Sequence, residues 1–237
     1  MRTGTWRCLE LPATNYTTSW ELQHRLAAAK KDGAMDTDII ILLEHFPVFT
    51  LGRRGGRDNL TVSQEVLENA GIPIIHAERG GDITYHGPGQ LVGYPVVNLK
   101  TSKLKVVDFV TRLEDVMLRT AADWNIPAER NSLNRGIWVG NSKMGSIGIA
   151  VRRSISFHGF ALNVNLSLEP FTWINPCGLQ GIGMTSMQQE IGGEISVSQV
   201  RNSLKHHLEK VFGISLIPTD LSDIQKILEA HSASEVT

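Results

Sequence analysis

Hydrophobic and polar residues alternate along the chain with two spacings, one typical of helices and one typical of strands. The longest helical stripe runs from Val106 to Trp124 and predicts a core-facing helix, with Glu114 among the charged residues off the apolar face. Ser63 fits an N-cap and Gly71 a helix end around a shorter segment. The predicted helices span residues 17–31, 63–70, 106–124, 197–212 and 221–230.

Short apolar runs between these helices predict strands. Asp38 to Leu43 is a continuous Ile/Leu run, which is typical of a strand covered on both faces. Because helices and strands mix without strict β-α-β alternation, the pattern predicts one α+β or mixed α/β domain over residues 1–237, a mixed sheet flanked by helices. The predicted strands span residues 6–11, 38–43, 45–52, 91–99, 135–139, 143–151, 155–166 and 214–217, and a long loop is predicted over 169–187.

Composition limits the possible partners. A net charge of −1 over 237 residues gives no electrostatic case for nucleic acid or a membrane surface. No apolar run approaches the ~20 residues that cross a bilayer, and the N-terminus lacks the pattern of a signal peptide. The two cysteines, Cys8 and Cys177, exclude a disulfide scaffold and a four-cysteine zinc site. We therefore expect a cytoplasmic protein without a bound metal.

The stretch from residue 78 to residue 90 carries more chemistry than a connecting loop needs. Its glycines allow positive φ and close approach of the backbone to a ligand, and Arg79, Tyr85, His86 and Gln90 are interleaved with them. Apolar runs at 72–77 and 91–99 bound it, so we expect two strands around a glycine-rich wall. A plain mobile connection stays open as the alternative, since most loops only connect.

Cys177 is the second candidate for chemistry. It sits in a loop bracketed by proline and glycine, where a functional thiol and a small buried hydrophobe are both open interpretations. For Cys8, inside an apolar strand, burial is favoured. A thiol is a weak nucleophile at neutral pH unless a cation or base lies beside it. The candidates for that neighbour are Lys143, His45, His86 and His158.

Lys143 opens a predicted strand. A lysine at such a position is usually a solvated edge residue, because exposed charge protects sheet edges. The small residues that follow Lys143 would nevertheless let a ligand lie close to the backbone.

Four motifs occur in one order along the chain: residues 79–90 (RGGDITYHGPGQ), 143–148 (KMGSIG), 158–164 (HGFALNV) and 176–178 (PCG). With them the chain strongly resembles the octanoyltransferase family, also called lipoate-protein ligase B or lipoyl(octanoyl) transferase. The match spans about residues 45–187. The resemblance implies a fold related to biotin and lipoate protein ligases. It also implies octanoyl transfer from acyl carrier protein to a lysine of a lipoyl domain, the first step of protein lipoylation.

The resemblance further implies roles for single residues. Cys177 would be the acyl-thioester nucleophile and Lys143 its partner, with His45 and His158 in support. No cofactor is implied, since the acyl donor arrives on the phosphopantetheine of acyl carrier protein. The implied acceptors are lipoyl domains of 2-oxoacid dehydrogenases and of the glycine cleavage system. The residues expected to line the acyl and substrate site are Arg79, Gly80, Gly81, Asp82, Ile83, Thr84, Tyr85, His86, Ser146, Ile147, Gly148, Gly159, Phe160 and Ala161.

Two other functions stay open. An ATP-dependent lipoate or biotin ligase on the same fold would keep the strand lysine, activate the acid as an acyl-adenylate and need no cysteine. Cys177 and the His-Gly-Pro-Gly-Gln string favour transfer over that alternative. The second is a non-catalytic binder of lipoyl domains or acyl carriers, against which the presence of both Lys143 and Cys177 argues.

Overall fold

The computed structural model describes residues 4–175 and 182–234. Cys177 lies outside the described residues. The strands are β1 (Gly4–Glu10), β2 (Asp38–Leu43), β3 (Val48–Leu51), β4 (Ile74–His76), β5 (Ile83–His86), β6 (Gln90–Val96), β7 (Gly136–Val139), β8 (Ser142–Arg152), β9 (Ile155–Asn163), β10 (Gly183–Met184) and β11 (Ile214–Thr219). The helices are α1 (Tyr16–Lys31), α2 (Gln64–Ala70), α3 (Val106–Ala122), α4 (Met187–Ile191), α5 (Val197–Phe212) and α6 (Leu221–Ser234). None of these helices combines the length and apolarity needed to span a bilayer.

The larger sheet is mixed. Within the described residues it has eight strands in the order β10-β8-β9-β6-β2-β1-β11, with β7 paired to β8. β1 runs parallel to β2 and β11, and β8 runs parallel to β10. The remaining pairs, β2–β6, β6–β9, β7–β8 and β8–β9, are antiparallel. A mixed sheet with flanking helices confirms the predicted fold class.

Helices cover both faces of this sheet. In β2, Ile40 and Leu42 pack into the core beneath α3 and α5. Ile39, Ile41 and Leu43 turn to the opposite face, beneath α1 and α6. Each such side chain contributes about 1.5–3 kcal/mol when fully buried. The prediction of a strand covered on both faces is confirmed, and the sheet forms the middle of three layers.

A smaller sheet of three strands, in the order β4-β3-β5, stands beside the larger one in the described part of the chain. The prediction of a glycine-rich loop over residues 78–90 is corrected here, because β5 is a strand inside that stretch. Ile83 and Tyr85 alternate into an apolar cluster with Phe49 and Phe171. This two-residue alternation of β-formers is a strand signal that the glycines around it obscured.

Two further predictions change in the structure. The segment predicted as a loop over 169–187 contains β10, which depends on pairing with β8 rather than on local propensity. Glu114, predicted on the solvent side of its helix, is 1% exposed. Its carboxylate accepts from the Gly136 backbone N–H and from the guanidinium groups of Arg130 and Arg135, all at 3.0 Å. These donors make the burial of a charged group tolerable.

Candidate active site

A narrow cleft lies between the small sheet and strands β8 and β9 of the large sheet. The volume of this cleft is about 40 Å³. The predicted residues that line it are Arg79, Gly80, Gly81, Asp82, Ile83, Thr84, His86, Lys143, Ser146, Ile147, Gly148, His158, Gly159, Phe160 and Ala161. Tyr85 was also predicted but is not among the lining residues, because its ring packs against Phe49 and Phe171, with centroids at 5.3 and 5.8 Å. The catalytic and binding roles of all these residues stay predictions.

The glycine-rich segment lies directly on β8. The Gly80 N–H donates to the Ile149 carbonyl at 2.9 Å. A Cβ on Gly148 would come 2.8 Å from the Gly80 carbonyl oxygen, closer than real Cβ atoms approach. The contact between the two backbones therefore requires glycine at position 148.

The Arg79 side chain fixes the position of the glycine-rich segment. This side chain is buried, and its Nε and Nη2 donate to the Thr50 hydroxyl at 3.1 and 2.8 Å. Nη2 also donates to the Thr50 carbonyl at 2.6 Å, and Nη1 donates to the Gly80 carbonyl at 3.0 Å. These charge-assisted bonds tie the glycine-rich segment to β3 and so hold one side of the cleft in place.

Lys143 projects from β8 into the cleft and is 1% exposed. The solvated-edge interpretation of this residue is wrong, because β10 pairs alongside it through Met184. Its Nζ donates to Asn134 Oδ1 at 3.3 Å and lies 5.4 Å from the centre of the Trp138 ring. Burying an amine away from water costs free energy, so Lys143 is a candidate for a catalytic role rather than a solubilising one.

Three buried imidazoles gather around Tyr16, whose ring centroid lies 5.3 Å from that of His45, 5.9 Å from that of His86 and 6.5 Å from that of His158. Burial lowers the pKa of His45 to about 4 and the pKa of His86 well below its usual value. Burial also lowers the pKa of His158 to about 4, although the Glu78 carboxylate opposes the shift. All three rings are therefore neutral at pH 7.

His45 stands behind the cleft rather than in its lining. Its Nδ1 donates to the Thr14 carbonyl at 2.7 Å, so its Nε2 accepts from the Tyr94 hydroxyl, also at 2.7 Å. Tyr94 itself lines the cleft. His45 thus contacts a residue of the cleft lining, Tyr94, and its supporting role stays a prediction.

Tyr16, Tyr94 and Asn134 line the cleft but were not predicted. Each lies outside the recognised motifs and reaches the site only through the tertiary fold, so no local pattern marked it. Among residues 4–175 and 182–234, no three His, Cys, Asp or Glu side chains are grouped so that they hold a metal ion, the three imidazoles included.

A second, wider cavity lies away from these residues. This groove has a volume of about 780 Å³ and lies where β1, β2 and β11 begin. Trp6, Asp38, Lys103 and Arg112 are among its lining residues, and no predicted site residue lies in it.

Residues 15–209 match the family described as the lipoyl protein ligase A/B catalytic domain. The chain is 44% identical to an octanoyltransferase of Desulfotalea psychrophila, over 92% of this chain and 98% of the relative. It is 43% identical to an octanoyltransferase of Syntrophobacter fumaroxidans, over 93% of this chain and 96% of that relative. The chain belongs to the octanoyltransferase family.

Solved structures share the fold at low sequence identity. A bipartite lipoate protein ligase from Thermoplasma acidophilum, described with its E2 lipoyl domain, has a TM-score of 0.74 at 15% identity. The similarity covers 96% of this chain and 92% of that one. Lipoate-protein ligase A bound with ATP has a TM-score of 0.71 at 16% identity, over 95% of this chain and 93% of that one.

Proposed function

We propose that this acyltransferase moves an octanoyl group from acyl carrier protein, through a thioester on Cys177, to a lysine of a lipoyl domain. Membership in the octanoyltransferase family supports the octanoyl group and the transfer. The observation that carries the proposal is Lys143, an amine buried on β8 in the wall of a glycine-lined cleft.

Lys143 is proposed to activate Cys177. An ammonium beside a thiol stabilises the thiolate, which is the nucleophilic form. Met184, which follows Cys177 by seven residues, is the pairing partner of Lys143 across β10 and β8. This pairing ties the described chain just after residues 176–181 to the strand that carries the amine.

The first half-reaction exchanges one thioester for another. The Cys177 thiolate attacks the carrier thioester carbonyl, and the new C–S bond forms a tetrahedral oxyanion. Backbone N–H groups of the glycine-rich segments are the proposed donors to that oxygen. The carrier C–S bond then breaks, and Lys143 gives its proton to the leaving pantetheine thiolate. Because the two thioesters are similar in energy, this step needs no nucleotide and no cofactor.

The acyl chain is proposed to enter between the walls of the cleft. Ile83, Ile147, Phe160 and Ala161 supply apolar lining there. Burial of each CH₂ group contributes about 0.8 kcal/mol, so an eight-carbon chain gains several kcal/mol of binding. The cleft is narrower than such a chain, so we expect its walls to separate when octanoate binds.

The proposed octanoyl donor is acyl carrier protein. The proposed acceptors are the lipoyl domains of 2-oxoacid dehydrogenases and of the glycine cleavage system. The description of the matched family as lipoyl protein ligases supports the lipoyl acceptor. We place the reaction in the cytoplasm, where the thiol of Cys177 stays reduced.

Mass spectrometry of the intact protein after incubation with octanoyl-carrier tests the proposal. We expect one octanoyl adduct on the wild type and none on Cys177→Ser. Cys8→Ala is the matched control, because burial raises the pKa of the Cys8 thiol to about 11 and keeps it unreactive. An adduct that survives Cys177→Ser, or one lost in Cys8→Ala, would overturn the assignment.

An ATP-dependent ligase is the second candidate, favoured by the fold shared with the ATP-bound ligase. Such an enzyme releases pyrophosphate from ATP when given free octanoate. We expect no pyrophosphate release under conditions in which octanoyl-carrier supports transfer. Release at the rate of product formation would replace the transferase mechanism with the ligase mechanism.

A further inference from the structure

The imidazoles of the histidine cluster differ in what their ring nitrogens contact. Both nitrogens of His45 are occupied, one by a backbone carbonyl and one by a tyrosine hydroxyl. In His158, Nδ1 meets the Tyr16 hydroxyl at 3.5 Å, whereas Nε2 is buried without a hydrogen bond within residues 4–175 and 182–234, and a Glu78 carboxylate oxygen lies 3.7 Å from it. His86 is held through Nδ1 alone, and its Nε2 has no hydrogen-bond partner among residues 4–175 and 182–234.

A chain of amides determines which nitrogen of His86 carries the proton. The Thr185 carbonyl can only accept, so the NH₂ of Asn163 donates to it at 2.9 Å. Asn163 Oδ1 therefore accepts from Gln90 Nε2 at 2.9 Å, and the same Nε2 also donates to the Tyr85 carbonyl at 3.3 Å. Gln90 Oε1 is left to accept from His86 Nδ1–H at 2.7 Å. His86 Nε2 consequently carries the lone pair.

The second half-reaction needs two proton acceptors. Lys143 gives one proton to the pantetheine thiolate in the first half-reaction, so it can take back only one. The incoming lysine arrives as an ammonium with a pKa near ~10.4 and must lose two protons to become an amide nitrogen. A second base has to be present in the cleft or reach it from water.

We propose that His86 Nε2 is this second base and accepts the first proton from the incoming lysine of the lipoyl domain. The inference rests on the proposed octanoyl transfer. His86 lines the same cleft as Lys143. Its ring is stacked on Tyr16 with an interplanar angle of 15° and anchored by Gln90, so the lone pair has a fixed direction.

One ammonium proton passes to His86 Nε2, and the freed amine attacks the octanoyl carbonyl carbon to form the N–C bond. The bond between that carbon and the Cys177 sulfur breaks, and the sulfur leaves as a thiolate. The second nitrogen proton passes to Lys143, which restores the ammonium–thiolate pair. The imidazolium then gives its proton to water. Burial in the cleft disfavours both the imidazolium and the incoming ammonium, so proton transfer between them stays accessible.

The two half-reactions of His86→Gln test the proposal. Glutamine keeps polar volume but offers no base, and His76→Gln on the exposed face of β4 is the matched control. We expect His86→Gln to form the octanoyl-enzyme within about threefold of the wild-type rate and to transfer it to a lipoyl-domain lysine about 10²-fold or more slowly. His76→Gln should match the wild type in both steps.

Hydroxylamine separates base catalysis from a structural defect, because its nitrogen is already unprotonated at neutral pH. It should remove the octanoyl group, as octanohydroxamate, from the wild type and from His86→Gln at equal rates. Unimpaired transfer to lysine, or an equal loss with hydroxylamine, would overturn the role of His86. Failure of the wild type to form an octanoyl-enzyme would instead refute the proposed function.

Nitrogen NMR of the wild-type imidazoles gives a test that needs no variant. We expect His86 to carry its proton on Nδ1 and a bare Nε2 at neutral pH. A proton on Nε2 would contradict the amide chain and remove the proposed base.

Discussion

The wide groove at the start of β1, β2 and β11 and the narrow cleft beside β8 bury polar groups in different ways. At the groove, the Asp38 carboxylate pairs with Lys30 Nζ at 2.8 Å and accepts from the Asn98 N–H at 2.9 Å and the Ser102 hydroxyl at 3.3 Å. Opposite charges and fixed donors there satisfy one another. In the cleft, the buried imidazoles are neutral and are held by amide, hydroxyl and carbonyl groups.

The volume of a cavity therefore does not identify the candidate active site in this protein. The groove is by far the larger of the two cavities, yet the Asp38 carboxylate in its lining is paired with Lys30. Buried titratable groups whose pKa values are strongly shifted cluster at functional sites. The cleft meets that criterion through its imidazoles, and the groove does not.

The largest expected effect is the loss of the cleft amine. Lys143→Met keeps the length of the side chain but removes its proton and charge, and we expect formation of the octanoyl-enzyme to fall by about 10³-fold or more. Lys103→Met, in the groove lining and exposed, is the matched control and should keep wild-type activity. Equal losses in both variants would erase the distinction between the two cavities.

The buried imidazoles should also make the free energy of unfolding depend on pH. The pKa of His45 is about 4 in the folded protein and about 6.5 when unfolded, so the unfolded chain binds a proton first as the pH falls. The contribution of His45 is complete above pH 6.5 and is lost between pH 6.5 and 4, a decrease of about 3 kcal/mol in the free energy of unfolding.

Urea unfolding at pH 7 and pH 4 measures this decrease as the difference between the wild type and His45→Gln, because the lowered pKa values of His86 and His158 add to the change in the wild type. His45→Gln should unfold more easily at pH 7 but show a smaller change with pH. His76→Gln should keep the full change, since His76 is exposed. A wild-type free energy of unfolding that is flat across this range would show that the cluster is not neutral and buried as described.

A methyl group tests the close contact of the two backbones. In Gly148→Ala the new Cβ would meet the Gly80 carbonyl at 2.8 Å, so we expect kcat/KM to fall by about 10- to 30-fold as the cleft wall shifts. Gly4→Ala at the groove is the control, because its Cβ would meet Ile214 at an ordinary 3.5 Å. Wild-type kinetics for Gly148→Ala would show that the cleft wall is dispensable.

The smallest expected effect lies in the groove itself. The Arg112 guanidinium sits 5.8 Å from the centre of the Phe212 ring, a cation–π contact worth about 0.5–1 kcal/mol at a partly exposed site. Arg112→Met should lower the free energy of unfolding by no more than that and leave transfer unchanged. A loss of transfer comparable to that of Lys143→Met would assign chemistry to the groove.

Local sequence patterns predicted the helices and strands that are specified by residues close together in the sequence. Helix α5 and strand β2 have the predicted bounds, because helical periodicity and a continuous apolar run both lie within the segment. The glycine-rich wall was also predictable, since only glycine allows the contact at position 148.

The rest depends on contacts between distant residues. β10 exists only as a partner of β8, and the Lys143 side chain is buried against Asn134 and Trp138. Glu114 is buried for a similar reason, since Arg130 and Arg135 reach it from another segment. No spacing along the chain marks such pairs, so charge alone suggested exposure for both residues.

The most direct test of the central claim starts from isolated octanoyl-enzyme, freed of the carrier and of nucleotide, to which a lipoyl domain is added. Peptide mapping then follows the octanoyl group with time. We predict that it leaves the Cys177 peptide as an equal amount reaches the lipoyl lysine. An octanoyl group that stays on Cys177, while carrier plus enzyme still modify the lipoyl domain at the full rate, would contradict the account.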